Sequence, residues 1–244
     1  MTPKPARFAT VDTPPGPFTV VVSTEPGVGD VVLASGWTED VTELLPVVHR
    51  SIRPVWVERA EHLAVLDTVE AFFAGDVLAI DDVAVRQRSG PFLEDAWEVL
   101  RTVPAGAPDT YAAFAARCGR PAAVRAAANA CARNATALFV PCHRVLGSDG
   151  GLGGFRWGTP VKRWLLDHEA AHAPVIAARK GTTLPPRLAS SARAPEGWPL
   201  QHVTMRACRT GAVSRSSCST CRRSTTSPAP TSGPAPPAIR RSRT

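Results

Sequence analysis

Between an apolar run, Ala137-Leu138-Phe139-Val140, and a stretch with five glycines in eight residues, Gly147 to Gly154, lies Pro141-Cys142-His143-Arg144-Val145. This arrangement constrains the fold more than any other feature of the chain. The apolar run reads as a short buried strand, and the glycine-rich run reads as a loop. Cys142 is therefore expected at the end of an element, where its side chain can reach a ligand, with His143 directly beside it. A thiol so placed is a candidate nucleophile with its own candidate base.

The rest of the chain provides a core to hold such a site. Its 244 residues, 44% of them hydrophobic, give room for one or two modest domains. There is no apolar run long enough to span a membrane, and Met1-Thr2-Pro3-Lys4-Pro5 leads into polar sequence without the apolar core of a signal peptide. A cytoplasmic location and no membrane partner are expected. The six cysteines all lie beyond residue 117, unlike a secreted disulfide framework, so reduced thiols are expected. Cys218-Ser219-Thr220-Cys221 has CxxC spacing, but no second pair completes a metal site, and chance is the better reading. No metal and no cofactor are expected.

The net charge of +7 is unevenly placed. Residues 1–85 carry −8, residues 86–172 carry +4, and residues 173–244, with 12 Lys and Arg against one acid, carry +11. Before the tail, the basic half is the half that holds Cys142, which suits a polyanionic partner.

These shifts divide the chain into three parts: an α+β scaffold over 1–85, a helical part over 86–173 and a tail over 174–244. In the first, Phe18–Val22 and Val28–Ala34 read as strands, while Thr38–Val48 and Ala60–Ala74 read as helices. In the second, helices are expected over Phe92–Thr102, Tyr111–Cys118, Pro121–Arg133 and Pro160–His172. A helix stopping at Gly119, followed by Pro121 at the head of the next, reads as a helix-turn-helix. In the second helix of that pair, Val124, Ala128 and Cys131 form a packing stripe, and Arg125, Asn129 and Arg133 form a free one. The tail is rich in Ser, Pro, Ala and Arg and cannot bury enough apolar surface to order itself, so it is expected to be disordered. A nonspecific DNA-binding extension and a read-through or misframed end both remain open for it.

Asn134, Pro141-Cys142-His143-Arg144-Val145, Gly154-Phe155-Arg156-Trp157-Gly158, Lys162 and Trp164-Leu165-Leu166-x-x-Glu169 together resemble the O6-alkylguanine-DNA alkyltransferases. Phe92, Trp97, Pro104, Gly106, Tyr111 and Arg125 extend the resemblance upstream, and Asp12-Thr13-Pro14-Pro15-Gly16-Pro17 carries it more faintly into the scaffold. It covers about residues 8–172 and leaves the tail unmatched. The resemblance implies an RNase H-like N-terminal scaffold and a winged-helix-like DNA-binding domain. Its partner would be double-stranded DNA carrying O6-alkylguanine, with O4-alkylthymine as a further substrate, met by a monomer.

By the same resemblance the alkyl group moves irreversibly to Cys142, one lesion per molecule. His143 takes the thiol proton through water, Glu169 orients His143, Asn134 holds the active-site turn, and Tyr111 donates to guanine N3. Asn134 also reads as a helix C-cap, and the two roles are compatible. Arg125 fills the gap left by the flipped nucleotide, while Ala122, Ala123, Ala126 and Ala127 let the helix enter the minor groove and Arg144 joins the DNA contacts. Cys131, Val145, Gly154, Phe155 and Arg156 would shape the pocket. Phe155 departs from the family's usual tyrosine and Ala135 from its usual proline; neither change touches the thiol or its base. A binder of alkylated DNA that does not repair it is argued against by Cys142. An alkylation-sensing regulator would need further domains that do not appear, and a cysteine hydrolase would need a water route to a thioester.

Overall fold

The computed structural model describes residues 6–172, so the tail and its CxxC pair lie outside the described residues. The N-terminal part is a four-stranded sheet with helices packed on it. Strands β1 (Ala6–Thr13), β2 (Gly16–Glu25), β3 (Gly29–Gly36) and β4 (Val57–Arg59) run in the order β3-β2-β1-β4. The β1–β2 and β2–β3 pairs are antiparallel, and β4 joins β1 in parallel. β2 is a continuous buried run because the sheet is covered on both faces. Phe18, Val20 and Val22 point to one core with Val69 and Phe72, while Val21 points to the other with Leu44 and Val48. This is the pattern of a doubly covered strand, with no polar face left to alternate.

Both early helices are shorter than their apolar patterns imply. Over the expected Thr38–Val48, only α1 (Val41–Leu44) is α-helical, followed by a 3-10 turn over Leu45–Val47. Pro46 has no N–H for the α-helical ladder and tightens the chain there. The expected Ala60–Ala74 helix is α2 (Ala64–Phe73). Ala60 instead donates its N–H to the Phe8 carbonyl at 2.8 Å, so tertiary pairing beside β4 outweighs local helix preference.

The remaining helices are α3 (Pro91–Arg101), α4 (Tyr111–Arg117), α5 (Val124–Ala132) and α6 (Thr159–Ala171). Residues 121–123 form a turn ahead of α5, which begins later than expected. Gly119 holds φ +72 just after α4, the left-handed conformation that ends helices most cheaply at glycine. Two short parallel strands, β5 (Asp109–Thr110) and β6 (Val145–Leu146), tie the start of α4 to the segment after Cys142.

Ala137–Val140 is buried, as expected, but it is a turn rather than a strand. Val140 N–H bonds back to the Thr136 carbonyl at 2.9 Å, and Leu138 takes φ +77. β3 holds this turn from the other side: Ser35 N–H donates to the Ala135 carbonyl at 2.9 Å and its hydroxyl to the Ala137 carbonyl at 2.7 Å. The backbone needs of the segment are thus met by its own turn and by an isolated bridge to β3 rather than by a strand ladder of its own.

Candidate active site

The turn of residues 135–140 delivers the chain into one 3-10 turn, Cys142–Arg144, whose three side chains are all buried. Cys142, 8% exposed, lines a cavity of about 340 Å³ together with Tyr111, Asn134, Phe155, Arg156 and Trp157. One wall comes from α5, through Ala128, Cys131 and Ala132. The glycine-rich loop supplies the facing wall, and Gly153, at φ +62, passes close to the Tyr111 hydroxyl: a Cβ there would lie 3.3 Å from it. Trp157 rests on Gly36 of β3, where any Cβ would overlap its ring.

Asn134 fixes the thiol. Its amide nitrogen donates to the Val140 carbonyl at 2.7 Å and to Cys142 Sγ at 3.3 Å. Its carbonyl oxygen accepts from Thr136 N–H at 3.1 Å and from Gln87 Nε2 at 3.0 Å. Gln87 Oε1 in turn accepts from Ala135 N–H at 2.7 Å. The left-handed form that asparagine often takes beyond a helix is absent, since Leu138 is the only non-glycine residue of positive φ among the described residues. Asn134 acts here through its side chain.

Beneath the thiol lies a buried group of charges. His143 Nε2 is 2.8 Å from Glu169 Oε1. Arg144 Nε donates to both Glu169 oxygens at 3.0 and 3.2 Å, and Arg144 NH1 donates to the Val103 carbonyl at 2.8 Å. Burial alone would raise the Glu169 pKa, but the charges of His143 and Arg144 outweigh it and hold the carboxyl down at about 2. Burial lowers the His143 pKa, with Glu169 opposing. His143 Nδ1 is buried without a protein partner. On α6, Lys162, Leu165 and Glu169 face inward at helical spacing, and Lys162 Nζ donates to the Val145 and Leu152 carbonyls at 2.7 and 2.5 Å. This cation staples the segment after Cys142 to the glycine-rich loop.

Two cysteines line the cavity, but their surroundings differ. Burial raises both thiol pKa values. Of the two, only Cys142 has an amide donor on sulfur and an adjoining imidazole that is paired to a carboxylate. Burial also raises the Tyr111 pKa, so its hydroxyl keeps its proton at neutral pH and remains a donor.

Of the expected pocket residues, Cys131, Gly154, Phe155 and Arg156 line this cavity, together with Tyr111 and Asn134, which were expected in catalytic roles, whereas Val145 is fully buried away from its lining. Two expected DNA contacts are corrected. Arg144 is 2% exposed and engaged with Glu169 and Val103, so its guanidinium is a support beneath the thiol. Ala127 is fully buried against α3 and α4, because it faces inward from α5. Arg125 and Ala122 are exposed, and Ala123 and Ala126 are partly so. Gln87 and the roles of Lys162 and Trp157 are additions. Gln87 sits 47 residues before its partner in a connecting segment, with no local pattern to mark it.

Among the described residues no helix is long and apolar enough to cross a membrane, and no cluster of three or more metal-ligating side chains occurs. Residues 91–171 match the family described as the 6-O-methylguanine DNA methyltransferase DNA-binding domain. A methylated-DNA–protein-cysteine methyltransferase of Shigella flexneri is 33% identical over 133 residues, covering 54% of this chain and 78% of that protein. One of Mycobacterium tuberculosis is 32% identical over 169 residues, covering 69% and 94%. A crystal structure of the M. tuberculosis O6-methylguanine methyltransferase matches with TM-score 0.54 at 31% identity, over 70% of this chain and 94% of that one. A second M. tuberculosis structure, solved in complex with DNA, matches with TM-score 0.54 at 31% identity, over 70% and 97%. The chain belongs to the methylated-DNA–protein-cysteine methyltransferases, DNA repair enzymes that move an alkyl group from damaged DNA to a cysteine of their own.

Proposed function

We propose that Cys142 is the alkyl acceptor for O6-alkylguanine flipped out of duplex DNA into the 340 Å³ cavity. The observation that carries this reading is the juxtaposition of a cavity-lining thiol, held by Asn134, with His143 in the same turn, itself paired to the buried Glu169 of α6. The raised pKa of Cys142 leaves it a thiol at rest, so transfer needs a base. His143 is that base: Nε2 is bound to Glu169, and the unpartnered Nδ1 is free to receive the proton through water. As Sγ bonds to the alkyl carbon, the carbon–O6 bond breaks and its electron pair stays on the purine. Tyr111, protonated and on the cavity wall, donates to the base and stabilises that charge. The thioether is not reversed, so one molecule repairs one lesion. O4-alkylthymine, a smaller base, is the further substrate on this reading.

On the DNA side, α5 carries Arg125 on its exposed face, with Ala122, Ala123 and Ala126 small enough to approach a groove. Arg125 takes the place of the flipped nucleotide. Cavity, thiol and α5 all belong to one chain, which supports action as a monomer, and a reducing cytoplasm would keep the thiol available. At the level of fold, the sheet of β1–β4 is an RNase H-like scaffold, and α4, α5 and the β5–β6 pair form a winged-helix-like DNA-binding domain. Cys142→Ser is expected to abolish transfer from an O6-methylguanine duplex while duplex affinity, measured by fluorescence anisotropy, persists. Retained transfer would refute Cys142 as acceptor.

A further inference from the structure

A second cavity, of about 290 Å³, opens between the residue 46–53 loop, the residue 86–89 segment and the end of α5. Six arginines line it, Arg50, Arg53, Arg86, Arg88, Arg133 and Arg156, with no carboxylate among the lining residues. Glu25 pairs with Arg86, and Glu94 lies 3.6 Å from Arg88. The other four have no carboxylate partner among the described residues. Arg53 is held by the Pro46 and Val48 carbonyls and Arg156 by the Ala132 carbonyl, bonds that orient a guanidinium without neutralising it. Gathering this much like charge around one concavity costs self-repulsion unless an anion occupies it. The concentration is the more informative because residues 1–85 carry a net −8 overall, yet two of their three arginines beyond Arg7 line this cavity.

The position of the cavity says which anion it takes. Arg125, Asn129 and Arg133 form a line along α5, and at 1.5 Å per residue it runs about 12 Å. Arg133, at the end of that line, is also a wall of the arginine cavity, and Arg156 lines both this cavity and the one holding Cys142. A basic path therefore leads from the middle of α5 into the concavity. We propose that this arginine cavity binds backbone phosphates of the DNA lying on α5, so that the scaffold carrying Arg50 and Arg53 extends the footprint beyond the helix that approaches the lesion. The inference rests on the reading of α5 as the DNA-facing helix. Planar guanidinium groups grip phosphate oxygens in pairs, which suits a phosphodiester entering between several of them.

The experiment measures the salt dependence of affinity for undamaged duplexes, one long enough to pass from α5 over the cavity and one too short to reach it. Arg50→Ala/Arg88→Ala is the variant, because both side chains are exposed and neither supports the thiol. Removing one phosphate contact lowers the slope of log K against log salt by about 0.9. The double variant is expected to lower the slope by about two on the long duplex and leave the short one unchanged, while the corresponding lysine variant keeps the slope. Transfer from a free O6-alkylguanine base, which needs no backbone contact, stays at the wild-type rate. An unchanged slope on the long duplex, with free-base transfer intact, overturns the proposal. So does a cavity that is stabilised by inorganic pyrophosphate while the slope stays fixed, which would make it a small-anion site. Absence of free-base transfer in the wild type would instead refute the Cys142 reading.

Discussion

Two buried regions of this protein are built from opposite materials. Beneath the sheet, Phe18, Val20, Val22, Val69 and Phe72 are fully or almost fully buried, and the polar side chains that join them, Thr19 and Ser35, are neutral hydroxyls donating to carbonyls at 2.6 and 2.7 Å. Beneath Cys142, His143, Arg144, Lys162 and Glu169 are buried to 2% exposure or less. Burying a charge is costly and is tolerated only where partners satisfy it. A fold that needed only stability could have used leucine at these positions. The difference indicates that the first region holds the shape, while the second keeps a proton acceptor and its carboxylate in fixed geometry next to a thiol.

Substitutions in each region should break this contrast in different ways. Glu169→Gln strands Arg144 and weakens His143 as a base, so it is expected to cost about 3–5 kcal/mol of stability. It should also slow transfer by about a hundredfold or more, the typical contribution of a positioned base. Calorimetry and single-turnover kinetics would check the two parts, and a stable variant of normal rate would refute the role of the pair. Phe18→Ala removes an aromatic ring from the sheet core and should cost about 3–5 kcal/mol by cavity formation, yet the molecules that remain folded should transfer at the wild-type rate. A rate loss matching that of Glu169→Gln would erase the distinction between the regions.

The dependence of stability on pH separates the two regions as well. Glu169 in the folded chain titrates at about 2 against 4.5 for a free carboxyl, and His143 titrates below its ordinary 6.5. In both cases the unfolded chain takes up its proton first as pH falls, so both groups contribute stability at neutral pH that is lost on acidification. Thermal midpoints should therefore decline below about pH 6.5, then further between 4.5 and about 2. Glu169→Gln should remove the lower step, and persistence of that step would assign it to other carboxylates.

The site was more legible in the sequence than the backbone around it. Cys142 and His143 carry chemistry that few other residue types supply, the family resemblance pairs Glu169 with His143, and the structure puts Glu169 on the inner face of α6 within 2.8 Å of His143. Arg144 and Ala127 were misplaced because arginine and alanine serve on a surface or in a core equally well, and only tertiary packing decides. Ala137–Val140 has the apolar run of a buried strand, but its backbone bonds are taken by Ser35, Thr136 and Asn134, partners that no local pattern reveals. Gln87 reaches Asn134 across 47 residues for the same reason.

The central claim is that Cys142 accepts one alkyl group and is then spent. Intact-mass measurement after incubation with excess duplex carrying a single O6-methylguanine tests it most directly, followed by peptide mapping. The expected result is one added methyl group per protein molecule, on the peptide that contains Cys142, with no further repair when fresh damaged duplex is supplied. A methyl group on Cys131 or Cys118, or continued turnover by unmodified protein, would contradict it.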